Sequence, residues 1–410
     1  MTNRKSCIQS VIAATCIGCA SAVTAGNMEV NVGDYLKPGM NDSQAVDAAL
    51  YVSRNAESRT LIFKGKTFIL TKAIELPSNT TVIIDNCTIK QADYTFDNIF
   101  RGNNYVIDPE NPFDYVLEVK PLKNIRIIGK CNAVIAGCDK NVTIYHPFFK
   151  EEQPGVGDYF GWRAHLLHFA DLDGFELANF KIEKSRNWTI TFGMSRNGHI
   201  HDIELNSNVK NGDGIDLLHG CSHILVENIT GFTSDDTVAI SGCQDALPDR
   251  TQKPQYLYSG KPWLKHLLTL DKSRRNSHDI EVRNIKTAGI YHAVMLLCMG
   301  GAQIYNIKIS DITDTGKRNC HLVDFYTGYG YGSGYNPGDI HDVEISNING
   351  NSDCRGNEVK AALTIQLPVK NVTVSNITNK GNGKDCIITH PDGITVKDVK
   401  PEQIYNKLTK

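Results

Sequence analysis

The sequence predicts an all-β protein, a single-stranded parallel β-helix (solenoid) with a short N-terminal capping helix. Strand-like segments that end in Asn or Asp before an aliphatic residue recur along the chain. Asp213 and Asp235 are 22 residues apart, as are Cys221 and Cys243, and a fixed period of this size is typical of one coil. The 410 residues show no linker or low-complexity break. A solenoid accounts for this length because it grows by adding coils.

Residues 1–25 are predicted to be a secretory signal peptide. Arg4 and Lys5 precede a short apolar run over residues 11–22, which ends among small residues suited to signal peptidase. The run is too short to cross a bilayer. We therefore expect an exported protein, extracellular or periplasmic, in which residues 26–410 form one β-helix domain. A lipoprotein anchor at Cys19 is the alternative.

Residues 30–53 predict the capping helix. Asn41-Asp42-Ser43 can cap a helix whose apolar residues fall at helical spacing, namely Ala45, Ala48, Ala49 and Val52. Such a helix would cover the open N-terminal coil, whose strand edges and core would otherwise face water.

From residue 60 onward, alternating β-branched segments predict the strands of the solenoid. The first are residues 60–63, 80–84 and 125–128. Six later segments share one pattern: FELANF from residue 175, ILVENI from 224, IEVRNI from 280, IKISDI from 307, VEISNI from 343 and VTVSNI from 372. Spacings longer than 22 residues between them are expected where loops on one side carry insertions.

Composition excludes several partners. The 43 basic and 45 acidic residues give a net charge of −2, so nothing favours nucleic acid or an anionic membrane. No phosphate loop or dinucleotide fingerprint occurs, and we expect no metal or other cofactor. No stretch after the signal peptide could span a membrane. We expect a monomer.

Nine cysteines follow the predicted signal peptide, and an odd number leaves at least one free thiol in a monomer. The candidate disulfides are Cys221 with Cys243 and Cys131 with Cys138. Free cysteines stacked in the solenoid core are the alternative.

The stretch 211–242 contains two acidic clusters, Asn211-Gly212-Asp213 and Asp235-Asp236, one repeat apart. Equivalent residues of stacked coils lie about 4.8 Å apart, so the three carboxylates would converge. Crowded carboxylates repel one another, which raises at least one pKa and keeps that group protonated near neutral pH. Glycosidic bond hydrolysis needs one such acid and one carboxylate. Ordinary turn residues are the alternative interpretation, but the stretch 211–242 contains no Lys or Arg to offset the acidic pair.

Residues 211–216, NGDGID, and 235–240, DDTVAI, resemble the NTDGID and DDCVAI signatures of the polygalacturonase-like glycoside hydrolases of family 28. The resemblance covers most of the mature chain as a pattern, with motif identity confined to about residues 162–242. It implies a right-handed parallel β-helix that hydrolyses a pectin-like or related polysaccharide or oligosaccharide with inversion. It implies catalytic roles for three residues, with Asp235 as the general acid and Asp213 and Asp236 holding and deprotonating water. Asn211 and Asp216 would bind substrate.

Two further motifs of the family are poorly kept. Its Gly-His-Gly motif falls on Tyr291-His292-Ala293, which implies a catalytic His292 and a substrate contact at Tyr291, although a core histidine is the alternative. Its Arg-Ile-Lys motif, whose cations meet a uronate carboxylate, falls on Asp324-Phe325-Tyr326. We expect Asp324 to accept hydrogen bonds from sugar hydroxyls and Tyr326 to pack on the ring, so a neutral sugar is favoured. Replacement cations could come from Lys317, Arg318, Lys253 or Lys261.

Insertions at residues 244–276 and 326–338 are rich in aromatics, and we expect Trp263, Tyr256 and Tyr258 to stack on sugar rings at the edge of a cleft. Two other functions fit the same fold. One is a non-catalytic carbohydrate-binding β-helix of tailspike or adhesin type. The other is a polysaccharide lyase, which would need Ca²⁺ ligands and a Lys or Arg base near the acidic cluster.

Overall fold

The computed structural model describes residues 26–110, 116–146, 151–154, 164–243, 263–316, 321–327, 334–356 and 358–406. The predicted signal peptide lies outside these residues, as do Lys253, Tyr256, Tyr258, Lys261, Lys317 and Arg318. Among the described residues, no helix is long and apolar enough to cross a membrane.

The predicted capping helix is confirmed as α1, Asp42–Val52. Asn41 and Gln44 form a capping box in which each backbone N–H donates to the other's side chain at 2.9 Å. The buried face consists of Ala45, Val46 and Ala49, so Val46 takes the place predicted for Val52, which is 38 % exposed. This face joins the main hydrophobic core and covers its N-terminal end.

Other helical segments are short. The second α-helix, α2, is Leu264–Leu267. Three 3-10 turns are Val32–Tyr35, Lys272–Arg275 and Pro401–Gln403.

The described residues contain thirty strands. The N-terminal ones are β1 Asn27–Asn31, β2 Ser58–Lys64, β3 Thr67–Leu70, β4 Ile74–Leu76, β5 Thr80–Asp85, β6 Thr88–Gln91, β7 Phe100–Gly102, β8 Tyr105–Ile107, β9 Val116–Val119, β10 Leu122–Lys130, β11 Val134–Ala136, β12 Thr143–His146 and β13 Glu151–Pro154. The central ones are β14 Leu167–Ala170, β15 Leu172–Glu183, β16 Ile190–Gly193, β17 Arg196–Ser207, β18 Ile215–Leu218, β19 Ser222–Thr233, β20 Val238–Cys243, β21 Ser277–Thr287 and β22 Val294–Met299. The C-terminal ones are β23 Ile304–Asp314, β24 Val323–Tyr326, β25 Ile340–Gly350, β26 Ala361–Ile365, β27 Lys370–Asn379, β28 Lys384–Ile388, β29 Ile394–Lys397 and β30 Ile404–Tyr405.

Two parallel sheets form the solenoid, and the predicted parallel β-helix is confirmed. The long-strand sheet has 15 strands in the order β1-β2-β5-β10-β15-β17-β19-β21-β23-β25-β27-β29, with β3, β6 and β11 paired beside this path. The short-strand sheet has 11 strands in the order β30-β28-β26-β24-β22-β20-β18-β16-β14-β7-β4. From β14 to β28, strands alternate between the two sheets along the chain, so each coil adds one strand to each sheet. Two antiparallel hairpins, β8-β9 and β12-β13, lie outside the solenoid.

The core consists of aliphatic side chains that stack from coil to coil. One row is aligned from β10 to β27 and is at most 1 % exposed: Ile127, Leu177, Ile200, Val226, Val282, Ile309, Ile345 and Val374. Burying each such side chain contributes about 1.5 to 3 kcal/mol before entropy costs, so this repeated row stabilises the stacking and fixes its register.

The Asn or Asp that closes each recurring segment makes the bend within a long strand. All six lie in the left-handed region with φ from 51° to 62°: Asn179, Asn228, Asn284, Asp311, Asn347 and Asn376. Asn and Asp tolerate this conformation better than other non-glycine residues. Their side chains also bond between coils, as where Asn284 Nδ2 donates to Asn228 Oδ1 at 2.6 Å. These residues therefore both bend and tie the coils.

The predicted disulfides are wrong. Cys131 and Cys138 are both free thiols, and Cys221 is free and buried, so it does not pair with Cys243. Cys221, Cys298 and Cys386 lie in the core, where a thiol behaves as a small apolar side chain.

Candidate active site

The acidic residues and His292 occupy equivalent turns of three consecutive coils. Asp213, Asp236 and His292 each lie two residues before a strand of the short-strand sheet, β18, β20 and β22 respectively. Their carbonyl oxygens accept hydrogen bonds from the preceding coil, where the donors Thr189 N, Gly214 N and Thr237 N lie at 3.0, 2.8 and 2.9 Å. The backbone hydrogen bonds between neighbouring coils thus continue through the turns, and the three side chains form one row.

The three carboxylates lie close together. Asp213, Asp235 and Asp236 each place an oxygen within 4.8 Å of the other two. Asp213 is 6 % exposed and Asp236 is 9 % exposed, whereas Asp235 is only partly buried. Because Asp235 comes one residue earlier in its turn, its carboxyl group is the one most open to a ligand.

His292 is buried at 7 % exposure and contacts an acid on each side. Its Nδ1 lies 2.7 Å from Asp236 Oδ1 and its Nε2 lies 3.5 Å from Asp324 Oδ2. Burial alone would lower the pKa of His292, but the charge of Asp236 and the hydrogen bond to it, together with Asp324 and Asp235, outweigh burial and raise that pKa. The acidic neighbours of His292 therefore favour its protonated form.

Asp324 lies behind His292 and not at a sugar-facing surface. Asp324 is the second residue of β24 and is 5 % exposed. Desolvation by burial is the largest effect on the carboxyl group of Asp324, and the charge of Asp236 acts in the same direction. The charge of His292 opposes both, and the net result is a pKa raised to about 7. The prediction that Asp324 accepts bonds from sugar hydroxyls is wrong, because its Oδ1 is buried and its Oδ2 faces His292 Nε2 at 3.5 Å.

A chain of hydroxyls supports the turn that carries Asp235. Thr233 Oγ1 donates to the Asp235 carbonyl at 2.9 Å and lies 2.9 Å from Thr237 Oγ1, which lies 3.0 Å from Thr287 Oγ1. Sequence analysis did not identify these residues. The available signal was a Ser or Thr at the end of consecutive long strands, at Ser207, Thr233 and Thr287.

The remaining predicted contacts fall into two groups. Tyr291 and Tyr326 are 46 % and 45 % exposed, and the Tyr291 ring lies 6.0 Å from that of His292. Asn211 is partly exposed, with a left-handed φ of 53°. By contrast, Asp216 is 2 % exposed within β18, so it does not offer its carboxylate to a substrate.

Trp263 does not line a cleft, and its predicted stacking on sugar is wrong. The side chain is fully buried, packs directly over Gly193 and makes an edge contact with His219 at 5.8 Å. It belongs to a second apolar cluster with Trp188, Met194 and Leu218 among others. Trp263 therefore anchors the end of the first insertion to the short-strand sheet.

One cation near this row escaped sequence analysis. Lys360 is 3 % exposed, immediately before β26, and its Nζ lies 4.0 Å from Glu358 Oε2. The next residue, Ala361, donates its N–H to His321 Nδ1 at 3.2 Å, and the His321 ring stacks 6.5 Å from that of His292. Lys360 is thus placed beyond the histidines and already has an acidic partner.

Among the residues that the structure describes, two clusters have spacing that could hold a cation. One is the three carboxylates, and the other is His223, His278 and Asp279 on the long-strand sheet. Acidic groups often approach this closely without an ion, and the proton transfers considered below need none. We assign no metal to either cluster.

No family model matches this chain, and no curated protein matches it. Solved structures do. An exopolygalacturonase from Thermotoga maritima has 17% identity and a TM-score of 0.50, covering 92% of this chain and 89% of that one. A polygalacturonase from Erwinia carotovora has 13% identity and a TM-score of 0.56, covering 94% and 97%. A tailspike protein mutant of E. coli bacteriophage HK620, in complex with a pentasaccharide, has 15% identity and a TM-score of 0.57, covering 90% and 60%. At these identities the likeness establishes the fold.

Proposed function

We propose that this polygalacturonase-like parallel β-helix is a secreted glycoside hydrolase that cleaves a polysaccharide or an oligosaccharide derived from it. The observation that carries the proposal is the convergence of Asp213, Asp235 and Asp236, with oxygens within 4.8 Å of one another. Such a group can divide the roles of acid and base between its members, one carboxyl group donating a proton to the leaving oxygen while another accepts one from water. His292 binds one of them and offsets part of the charge.

The exposure of each carboxyl group supports its role. Asp235 is the most open of the three and is proposed as the general acid, which must reach the glycosidic oxygen. Asp213 and Asp236 are proposed to hold the attacking water. The two O–H bonds of water diverge by about 105° and each donates across roughly 2.5 to 3.0 Å, so one water can bridge two oxygens up to about 4.8 Å apart. The separation within 4.8 Å meets this condition.

Inversion of the anomeric centre is expected. Retention would require Asp213 or Asp236 to reach the anomeric carbon, and both are less than a tenth exposed. The carboxyl groups are nevertheless closer than the roughly 6.5 to 9.5 Å usual for inverting enzymes. NMR of the nascent product decides the matter, since a product with the configuration of the substrate would show that one buried carboxylate acts as a nucleophile.

The substrate is proposed to carry a neutral sugar next to the scissile bond. Binding a uronate there would desolvate a carboxylate, which costs several kcal/mol without a fixed cation. In the described part of the chain the position expected for the cations holds Asp324 and Tyr326, and Lys360 is paired with Glu358. Because the pKa of Asp324 is raised to about 7, its carboxyl group would repel a uronate only weakly near neutral pH. The neutral-sugar proposal therefore depends mainly on the lack of a Lys or Arg at this position.

A reducing-end assay over a polysaccharide panel tests both the reaction and the substrate. We expect a higher kcat/KM on neutral or mixed pectic, rhamnosyl and galactosyl substrates than on polygalacturonate, and release about 10²- to 10⁴-fold slower by the Asp235→Asn variant. Efficient cleavage of plain polygalacturonate would contradict the substrate proposal. Binding without release would instead favour the carbohydrate-binding function suggested by the tailspike fold, and unsaturated products would indicate a lyase.

A further inference from the structure

We propose that Asp324 is a positioning residue for the hydrolysis proposed above, acting through His292 by keeping the imidazole protonated and aligned against Asp236. The three groups form a buried line in which His292 lies between two carboxyl groups, 2.7 Å from Asp236 Oδ1 and 3.5 Å from Asp324 Oδ2. The residues come from three coils, at Asp236 before β20, His292 before β22 and Asp324 in β24. The solenoid stacking alone therefore sets their order.

The surroundings of Asp324 favour exchange of a proton at its carboxyl group. Its Oδ1 is buried and has no hydrogen-bond partner among the described residues, so an ionised carboxylate is costly there unless a cation is close. His292 is that cation. Asp324 is aligned with Met295 on one side and Thr364 on the other, and neither side chain carries charge.

The charges facing this pair come from every neighbouring coil. The groups that act on the pKa of His292 are Asp236, Asp324 and Asp235, and those that act on the pKa of Asp324 are His292 and Asp236. Tyr291 and His321 are the other titratable rings beside His292, at 6.0 and 6.5 Å, and Asp213 completes the acidic cluster. Carboxylates outnumber cations, so the imidazolium is the favoured form of His292.

The proton balance follows from these contacts. At acid pH, Asp324 is a neutral carboxylic acid, and His292 is paired with Asp236 alone. As pH rises through about 7, the O–H bond of Asp324 breaks and its proton leaves to water. The new carboxylate then holds the imidazolium from the side opposite Asp236. Asp324 thereby extends the pH range over which His292 stays charged and Asp236 stays aligned.

The Asp324→Asn variant tests this role through the charge of His292. An opposite charge this close typically shifts a pKa by 1 unit or more, so in the variant we expect His292 to lose its proton about 1 pH unit lower. Histidine ring nitrogen NMR measures this shift without substrate, so the result does not depend on whether the chain is a hydrolase. We also expect a change in the pH dependence of kcat, measured on the substrate that the polysaccharide panel identifies. The pH at which kcat falls on the alkaline side should be lower in the variant by the same amount.

Two further variants separate this role from a structural one. Asp324→Glu keeps the charge and should restore the wild-type alkaline fall of kcat with pH. Asp339→Asn alters another buried aspartate, at a turn before β25, and should leave that fall at the wild-type pH. Identical His292 titrations in the wild-type protein and Asp324→Asn, or a uniform loss of activity at all pH values, would overturn the proposal. Should Asp324→Asn not fold, the wild-type titration still decides, since a neutral His292 above pH 7 would contradict it.

Discussion

Replacing Asp235 with asparagine is expected to lower kcat by about 10²- to 10⁴-fold, the usual contribution of a general acid or base. The amide has nearly the shape of the acid but cannot donate a proton to the leaving oxygen. Because Asp235 is only partly buried, the free energy of unfolding should change little. Steady-state kinetics together with denaturant unfolding measure both quantities.

The matched control is Asp392→Asn, which makes the same chemical change at an exposed aspartate in the turn before β29. This variant should keep full activity. Near-full turnover in Asp235→Asn would refute the assignment of Asp235 as the acid, and a large loss of stability would show that the residue supports the turn more than the chemistry.

Replacing Asp236 with asparagine is expected to lower kcat by a similar factor and to destabilise the protein as well. Asp236 is 9 % exposed and bonds to buried His292, and breaking a buried charge pair costs on the order of 3 kcal/mol. Asp235 and Asp236 are adjacent in sequence, so the difference between the two variants follows from burial and from the histidine.

The loss of stability in Asp236→Asn should depend on pH. The folded-state pKa of His292 is raised, so the pair stabilises the fold fully below the unfolded histidine pKa of about 6.5, and this contribution disappears as pH rises through the folded pKa. Unfolding measured over this range should therefore show the wild-type advantage shrinking at alkaline pH. Asp339→Asn, which has no histidine partner among its described contacts, should show a pH-independent loss. A constant difference for Asp236→Asn would contradict an imidazolium at His292.

The sequence predicted the solenoid because its signal is repeated. A bend residue such as Asn228 or Asn284 recurs once per coil and needs a left-handed conformation that few residue types accept. In the structure Asp213 and Asp236, 23 residues apart, lie in one row, so the expectation from the 22-residue spacing that Asp235 stacks on Asp213 is wrong by one residue. Local helical spacing was a weaker signal, since it could not decide whether Val46 or Val52 faced the core.

The errors concern residues whose environment is set by distant coils. Asp324 appeared in sequence only as a changed motif, and its position behind His292 depends on the register of β22 with β24. Trp263 was predicted to face a ligand because it lies in a polar insertion. Gly193 has no side chain, however, and this leaves room for the Trp263 ring to pack against the sheet. Contacts of this kind join residues far apart in the chain and leave no local pattern.

The central claim is that Asp213, Asp235 and Asp236 direct a water molecule onto a glycosidic bond. Cleavage in water enriched in heavy oxygen, followed by mass spectrometry of the products, tests it most directly. The account predicts one heavy oxygen atom at each new reducing end, with product formed about 10²- to 10⁴-fold more slowly by Asp235→Asn. Products that form without heavy oxygen would contradict hydrolysis at these carboxylates.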